Sequence, residues 1–221
     1  MIKLLDILLE EKQEKYHILK QLRSPEDRKK NFLIATQQKI QQYIKDGSKG
    51  SLDLSFTPIT SLPNNLTVGG WLDLKGTNIT SLPDNLTVAS SLYLKGTKIT
   101  SLPDNLTVGG SLDLSSTSIT SLPNNLTVRS DLYLQNASIT SLPNNLTVRG
   151  YLYLNNTKIT SLPDNLTVGG SLYLRNTPIT SLSDTLKVNG SLDLRGTPLS
   201  KTHTEEQIRQ RMPGVKGNIA I

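Results

Sequence analysis

A twenty-residue unit recurs eight times in this chain without insertion or deletion, and that period restricts the fold more than any other property. The cleanest copy is residues 91–110, SLYLKGTKITSLPDNLTVGG; the others start at Ser51, Trp71, Ser111, Asp131, Tyr151, Ser171 and Ser191, and the last fades after Leu199. A unit this short has too little apolar surface to enclose a core alone. Copies must stack, each touching its two neighbours, and the product is an elongated solenoid with two ends. The 221 residues therefore form one extended domain, where length alone would suit one or two globular ones.

Positions 2, 4, 9, 12, 16 and 18 of the unit are aliphatic in every full copy; in the third they are Leu92, Leu94, Ile99, Leu102, Leu106 and Val108. Leu-x-Leu reads as a strand with both leucines inward, and Leu-Thr-Val before the Gly-Gly corner as a second short strand. Pro103 removes a ladder donor and imposes an extended or tightly turned path between them. Stacking sets equivalent residues about 4.8 Å apart in parallel strands. Asn at position 15 (Asn65, Asn85, Asn105, Asn125, Asn145, Asn165) is expected to hydrogen-bond loop backbone between copies, and Thr at position 7 to do likewise. The Asn-Leu-Thr triplets match a glycosylation sequon, but as by-products of the repeat.

The flanks read as caps. Residues 1–22 carry Leu4, Leu5, Leu8, Leu9, Ile18, Leu19 and Leu22 near helical spacing. Ser24-Pro25-Glu26-Asp27 starts a second helix, which stops at Gly47. Residues 1–47 are thus an N-terminal helical cap over the solenoid of residues 48–200, with a partner-docking helix as the other reading. In residues 201–221, Thr204-Glu205-Glu206-Gln207 opens a short helix, and residues 215–221 repeat the Val-x-Gly-x-Leu-x-Leu grammar of residues 188–194 as a ninth strand. The seventh copy departs at Ser183, Thr185 and Lys187, where the C-terminal helix is expected to lie.

Leu-x-Leu-x-x-Thr-x-Ile-Thr-Ser-Leu-Pro-x-Asn-Leu resembles a leucine-rich repeat, nearest to the short repeats of type III secreted bacterial effectors. The resemblance covers residues 51–200 and implies a β-rich solenoid with a parallel sheet that binds proteins through its strand face. It departs where Thr follows the strand in place of Asn and where Val-x-Gly-x-Leu replaces Leu-x-x-Leu; a parallel β-helix is the alternative fold. Some of those effectors carry a cysteine-dependent ubiquitin-ligase domain, which does not carry over, since this chain has no cysteine. The opening Met-Ile-Lys-Leu-Leu-Asp-Ile-Leu-Leu-Glu resembles small proteins of tailed bacteriophages.

Composition narrows the chemistry. Without cysteine, thiolate metal sites and thiol nucleophiles are excluded, and the two histidines, His17 and His203, stand far apart in sequence. No Ser-His-Asp set, metal-ligand spacing or phosphate loop occurs, so neither enzymatic activity nor a cofactor is expected. Neither a secretory signal nor a membrane-length apolar run is legible, which places the expected location in the cytoplasm, or in a host cytoplasm or virion if phage-encoded. The net charge of +6 sits on the ends: residues 51–200 hold nine basic and nine acidic side chains. A neutral long face does not suit a phosphate backbone, so nucleic acid is not an expected partner.

What varies between copies while the scaffold stays fixed is chiefly positions 1, 3 and 5, outward on the main strand, with positions 6, 8 and 19 near its ends. Tyr133, Tyr151, Tyr153 and Tyr173 should form an aromatic strip flanked by Asp131 and Arg175, with Arg129 and Arg149 beside it; Trp71 and Tyr93 extend the set. Tyrosine and arginine are common interface anchors. A protein partner is expected on this face, with a glycan-binding or virion-associated structural or attachment protein of a bacteriophage as the alternative. A stabilising tyrosine ladder is the structural alternative. Outward Thr67, Thr87, Thr107, Thr127, Thr147 and Thr167 raise ice binding, but that strand has no second matching Thr column.

Overall fold

The computed structural model describes Gln13 and residues 24–124, 126–144 and 146–221. The helix expected over residues 1–22 lies outside the described residues, as do Asn125 and Asn145. The chain winds as a parallel β-solenoid whose every full turn, or rung, is one twenty-residue unit. The second residue pair of each rung makes the main sheet: β1 (Leu52–Asp53), β3 (Leu72–Asp73), β5 (Leu92–Tyr93), β7 (Leu112–Asp113), β8 (Leu132–Tyr133), β10 (Leu152–Tyr153), β12 (Leu172–Tyr173) and β14 (Leu192–Asp193). A ninth strand, β15 (Ile219–Ala220), pairs with β14 through Leu192↔Ile219, as the terminal Val-x-Gly grammar implies.

The expected second strand forms too. β2 (Thr67–Val68), β4 (Thr87–Val88) and β6 (Thr107–Val108) make one three-stranded sheet; β9 (Thr147–Val148), β11 (Thr167–Val168) and β13 (Lys187–Val188) make another. Val128 bridges the two by pairing with Val108 and Val148. All pairing is parallel with no slip, so identical positions stand side by side. The six aliphatic columns are buried along the whole solenoid, Leu134 of the fifth rung completely.

Two turns bend each rung, and their sequence demands differ from the expectation. After the main strand, the N–H of position 7 donates to the carbonyl of position 4, and the Thr hydroxyl at position 7 donates to that same carbonyl; for Thr97 and Leu94 the distances are 3.1 and 2.7 Å. The Thr column therefore ties its own rung, not its neighbour. The residue between, position 6, is left-handed, which explains Gly76, Gly96, Asn136, Asn156 and Asn176 there. Asn at position 15 is likewise a conformational choice: Asn65, Asn85 and Asn165 have φ of 56–59°. Among the described residues their side chains make no hydrogen bond to loop backbone; Asn85 donates to the Asn65 side chain at 3.3 Å.

Both ends are covered. α1 (Pro25–Lys45) starts at Ser24, whose hydroxyl accepts the Asp27 N–H at 3.0 Å, and breaks where Gly47 turns left-handed at φ 81°. Thr36 and Ile40 are buried against the first rung, with Leu33 and Tyr43 packed beside them. The Tyr43 hydroxyl pins the seam: it lies 2.8 Å from the Ser48 carbonyl and accepts the Gly69 N–H at 3.2 Å. At the other end α2 (Pro198–Thr202) begins just inside the eighth copy, and α3 (Glu205–Arg211) follows with a full capping box between Thr204 and Gln207. Ile208 and Met212 of this end are buried beside Leu182 and Leu199. The C-terminal helix lies beside the seventh copy, as expected, with Ile208 and Met212 next to Ser181 and Leu182, and the oddities of that copy have a further role. Ser183 donates to Asp164 at 2.8 Å, and Thr185 accepts the Asn165 N–H at 3.0 Å, so both bond back to the sixth rung.

Truncating a buried leucine in mid-stack removes packing from two interfaces at once. Leu134→Ala should lower unfolding free energy by about 2–5 kcal/mol in a denaturant titration. Phe56 is the opposite case, a bulky residue at the left-handed position 6 with φ 54° and 71 % exposure. Phe56→Asn, matching Asn136 and Asn156, should raise stability by about 1 kcal/mol in the same titration.

Candidate recognition face

The outward positions of the main sheet have a default occupant that serves the backbone. A serine at position 1 accepts the N–H of position 1 in the next rung: Ser51 from Trp71 at 3.1 Å, Ser91 from Ser111 at 3.1 Å, Ser171 from Ser191 at 2.9 Å. An aspartate at position 3 accepts the N–H two residues on: Asp53 from Ser55 at 2.9 Å, Asp73 from Lys75 at 2.8 Å, Asp113 from Ser115 at 2.9 Å. These bonds hold down donors that the short strands leave over.

Aromatic residues at these positions give up that service. Trp71 and Tyr151 offer no acceptor to the next rung, and Tyr93, Tyr133, Tyr153 and Tyr173 offer none to position 5. In-register pairing brings them together in two clusters. In the larger, Tyr133 and Tyr153 stack at 4.8 Å between ring centroids and 6° between planes, and Tyr153 and Tyr173 at 4.7 Å and 2°. Tyr151 leans across them, 6.1 Å from Tyr153 and 6.5 Å from Tyr173, and is 43 % exposed. In the smaller, Trp71 meets Tyr93 edge-on at 6.5 Å, and the Lys75 ammonium lies 6.0 Å from the centre of the Tyr93 ring. The fourth rung, with Ser111, Asp113 and Ser115, separates the two.

Asp131 joins scaffold and cluster. One carboxylate oxygen replaces the serine acceptor and takes the Tyr151 N–H at 2.8 Å; the other accepts the Tyr133 hydroxyl at 3.1 Å. Burial, reinforced by that anionic acceptor, pushes the Tyr133 phenol up to about 12, and burial also raises Tyr153. Next to the cluster, the Gln135 side-chain oxygen is buried without a hydrogen-bond partner among the described residues. At the far end Arg195 grips Asp193 through two bonds, of 2.9 and 2.6 Å, and these hold the carboxylate below its ordinary range.

The ten residues singled out from sequence thus divide. Asp131 and the four strip tyrosines form one cluster; Trp71 and Tyr93 form a second. Arg175 is exposed in the seventh rung, its backbone N–H held by Asn155 at 3.0 Å. Among the described residues, Arg129 and Arg149 make no hydrogen bond or cation–π contact with the strip. Each follows the inward valine of the second sheet, and Arg129 lines a hollow with Asn85, Asn105, Thr107 and Thr127. Position 19 is the corner where the chain leaves that sheet, so a side chain there flanks the Thr column. Phe56 was missed, although an aromatic among the Gly, Ser and Asn of position 6 marks it in the sequence.

No group of His, Asp and Glu suited to hold a metal occurs among the described residues, and no described helix is long and apolar enough to cross a membrane. No protein-family model matches the chain, and no curated protein is significantly similar to it.

The raised tyrosines predict alkaline sensitivity. Their folded-state pKa exceeds the unfolded value of about 10, so the neutral form's stabilisation is intact below that pH and is lost as pH climbs towards 12. An ultraviolet absorbance titration should show a late-ionising component that Tyr133→Phe reduces, and the variant should lose less stability across that interval.

Proposed function

We propose that this chain is a non-enzymatic leucine-rich repeat module, of the short bacterial type, that binds a protein partner through its main parallel sheet. One observation carries the reading. At Trp71, Tyr151 and the position-3 sites Tyr93, Tyr133 and Tyr153, a side chain that would hold a backbone N–H is replaced by an aromatic that cannot; beside Tyr173 the Arg175 N–H is held by Asn155 instead. Each such bond contributes about 0.5–1.5 kcal/mol. Stacking offsets this within the column of Tyr133, Tyr153 and Tyr173 but does less for Trp71 and Tyr151, which remain 38 % and 43 % exposed. Exposed aromatics kept at a scaffold's expense are what a binding surface requires.

The stacking geometry favours protein over glycan. Sugars pack on the open faces of aromatic rings, yet both faces of Tyr153 are covered by its neighbours. The strip offers ring edges and hydroxyls instead, beside Asn155 and Arg175, a mixture suited to a polypeptide surface. The effector-like repeat supports a bacterial type, and the opening ten residues support origin in a tailed bacteriophage. The module would then act in a host cytoplasm or on a virion.

A photo-crosslinking residue at position 151 should capture the partner, and one at Thr107, on the second sheet, should not. With that partner purified, Tyr151→Ser should weaken binding by about 1–2 kcal/mol, as anchor truncations do. The new serine restores an acceptor for the Ser171 N–H, so the melting temperature should hold. Parent-like binding by both Tyr151→Ser and Tyr153→Ala would exclude this face.

A further inference from the structure

We infer that the fourth rung is a receptor for one arginine side chain of the partner, with Asp113 as counter-ion and the rings of Tyr93 and Tyr133 as walls. The inference rests on the proposed protein-binding role of the main sheet and adds the chemistry of one anchor. In-register pairing sets Tyr93, Asp113 and Tyr133 at the same position of three successive strands. Neighbouring strands lie about 4.8 Å apart, so the two tyrosines are separated by two such steps, about 9.5 Å. The rest of the column shows what fits that interval, because its rings repeat at 4.8 and 4.7 Å, nearly parallel. A single planar group above Asp113 would continue the ladder on both sides.

Both walls have neighbours on their far sides and no ring contact towards the fourth rung among the described residues. Tyr93 is met by Trp71 and Lys75 from the second rung, and Tyr133 by Tyr153 from the sixth. No aromatic contact crosses the fourth rung among the described residues, and its other outward side chains, Ser111 and Ser115, are small.

Charge selects the occupant. One oxygen of Asp113 takes both the N–H and the hydroxyl of Ser115, at 2.9 and 2.6 Å; the other has no hydrogen bond or ion pair among the described residues. Two of its counterparts differ in this respect: Asp73 has Lys75 at 3.7 Å and Asp193 has Arg195 at 2.6 Å, cations supplied two residues along the same rung. In the fourth rung that place is held by Ser115. Asp53 is held by Ser55 as Asp113 is by Ser115, but Asp73, not a tyrosine, stands beside it in the next rung. Lys95, one rung away, is exposed and forms no ion pair with Asp113. A guanidinium meets all three demands: it is flat, it stacks on aromatic rings through both faces, and its N–H groups lie in plane to reach a carboxylate. An ammonium cannot stack, and a neutral ring leaves Asp113 without a counter-ion.

The test uses the full chain with carbon-13-labelled tyrosine rings and the probe Nα-acetylarginine methylamide, followed by NMR. Saturable shifts are expected at Tyr93 and Tyr133. Asp113→Asn keeps an acceptor for the Ser115 N–H and should preserve the fold, yet weaken the probe at least about fivefold, as loss of a charge partner does. The citrulline analogue, equally flat but neutral, and the lysine analogue should be weakened similarly. Absence of saturable shifts, or equal affinity in Asp113→Asn, overturns the proposal. Tyr151→Ser separates the two claims: it should leave probe binding unchanged while weakening the partner. If the probe fails and Tyr151→Ser still weakens the partner, the arginine receptor is lost while the strand-face reading survives.

Discussion

Everything in this molecule depends on parallel pairing without slip. Each main strand is only two residues long, so no strand has ladder enough to hold itself. Stability comes from repetition. Six aliphatic columns run through the stack, and each leucine is buried by the leucine above and below it. Short strands also leave amide donors unserved at their margins. The outward serines and aspartates answer that need, so the polar side of the main sheet is part of the scaffold and not a neutral surface awaiting use.

The variable positions carry a conflict between holding the backbone and presenting the surface proposed to bind a partner. The aromatic residues resolve it by stacking on one another, so that a column of tyrosines regains in ring contact part of what it loses in hydrogen bonding. Asp131 resolves it differently: one carboxylate serves a backbone donor and orients the Tyr133 hydroxyl at once. Structural ladder and binding strip, set out from sequence as alternatives, are therefore compatible descriptions of the same rings.

The period and its aliphatic columns made the solenoid, both strand sets, the ninth strand and the C-terminal capping helix legible in sequence. Periodicity reports burial directly, and capping residues report chain ends. The roles of the polar columns were not legible in the same way. Asn at position 15 and Gly or Asn at position 6 answer to backbone dihedrals, which composition shows only when the rung's path is known. The acceptor duty of the position-1 serines needs a partner twenty residues away. Arg129 and Arg149 were assigned to the tyrosine strip because position 19 shortly precedes the main strand; yet the chain turns a corner there, and Arg129 lines a hollow with Thr107 and Thr127 of the other side.

The in-register ladder also makes the proposed recognition face a ruler with fixed graduations. Outward groups fall at whole multiples of one strand spacing along the axis and at alternate residues across it. Point substitution changes which chemical group stands at a mark, as the exchange of Tyr for Asp at position 3 shows, but it cannot move the mark. A partner whose anchors match this interval is met by rewriting side chains alone. One whose anchors lie further apart is met only by inserting or deleting whole twenty-residue rungs, which the identical stacking surfaces of every rung permit without rebuilding either cap.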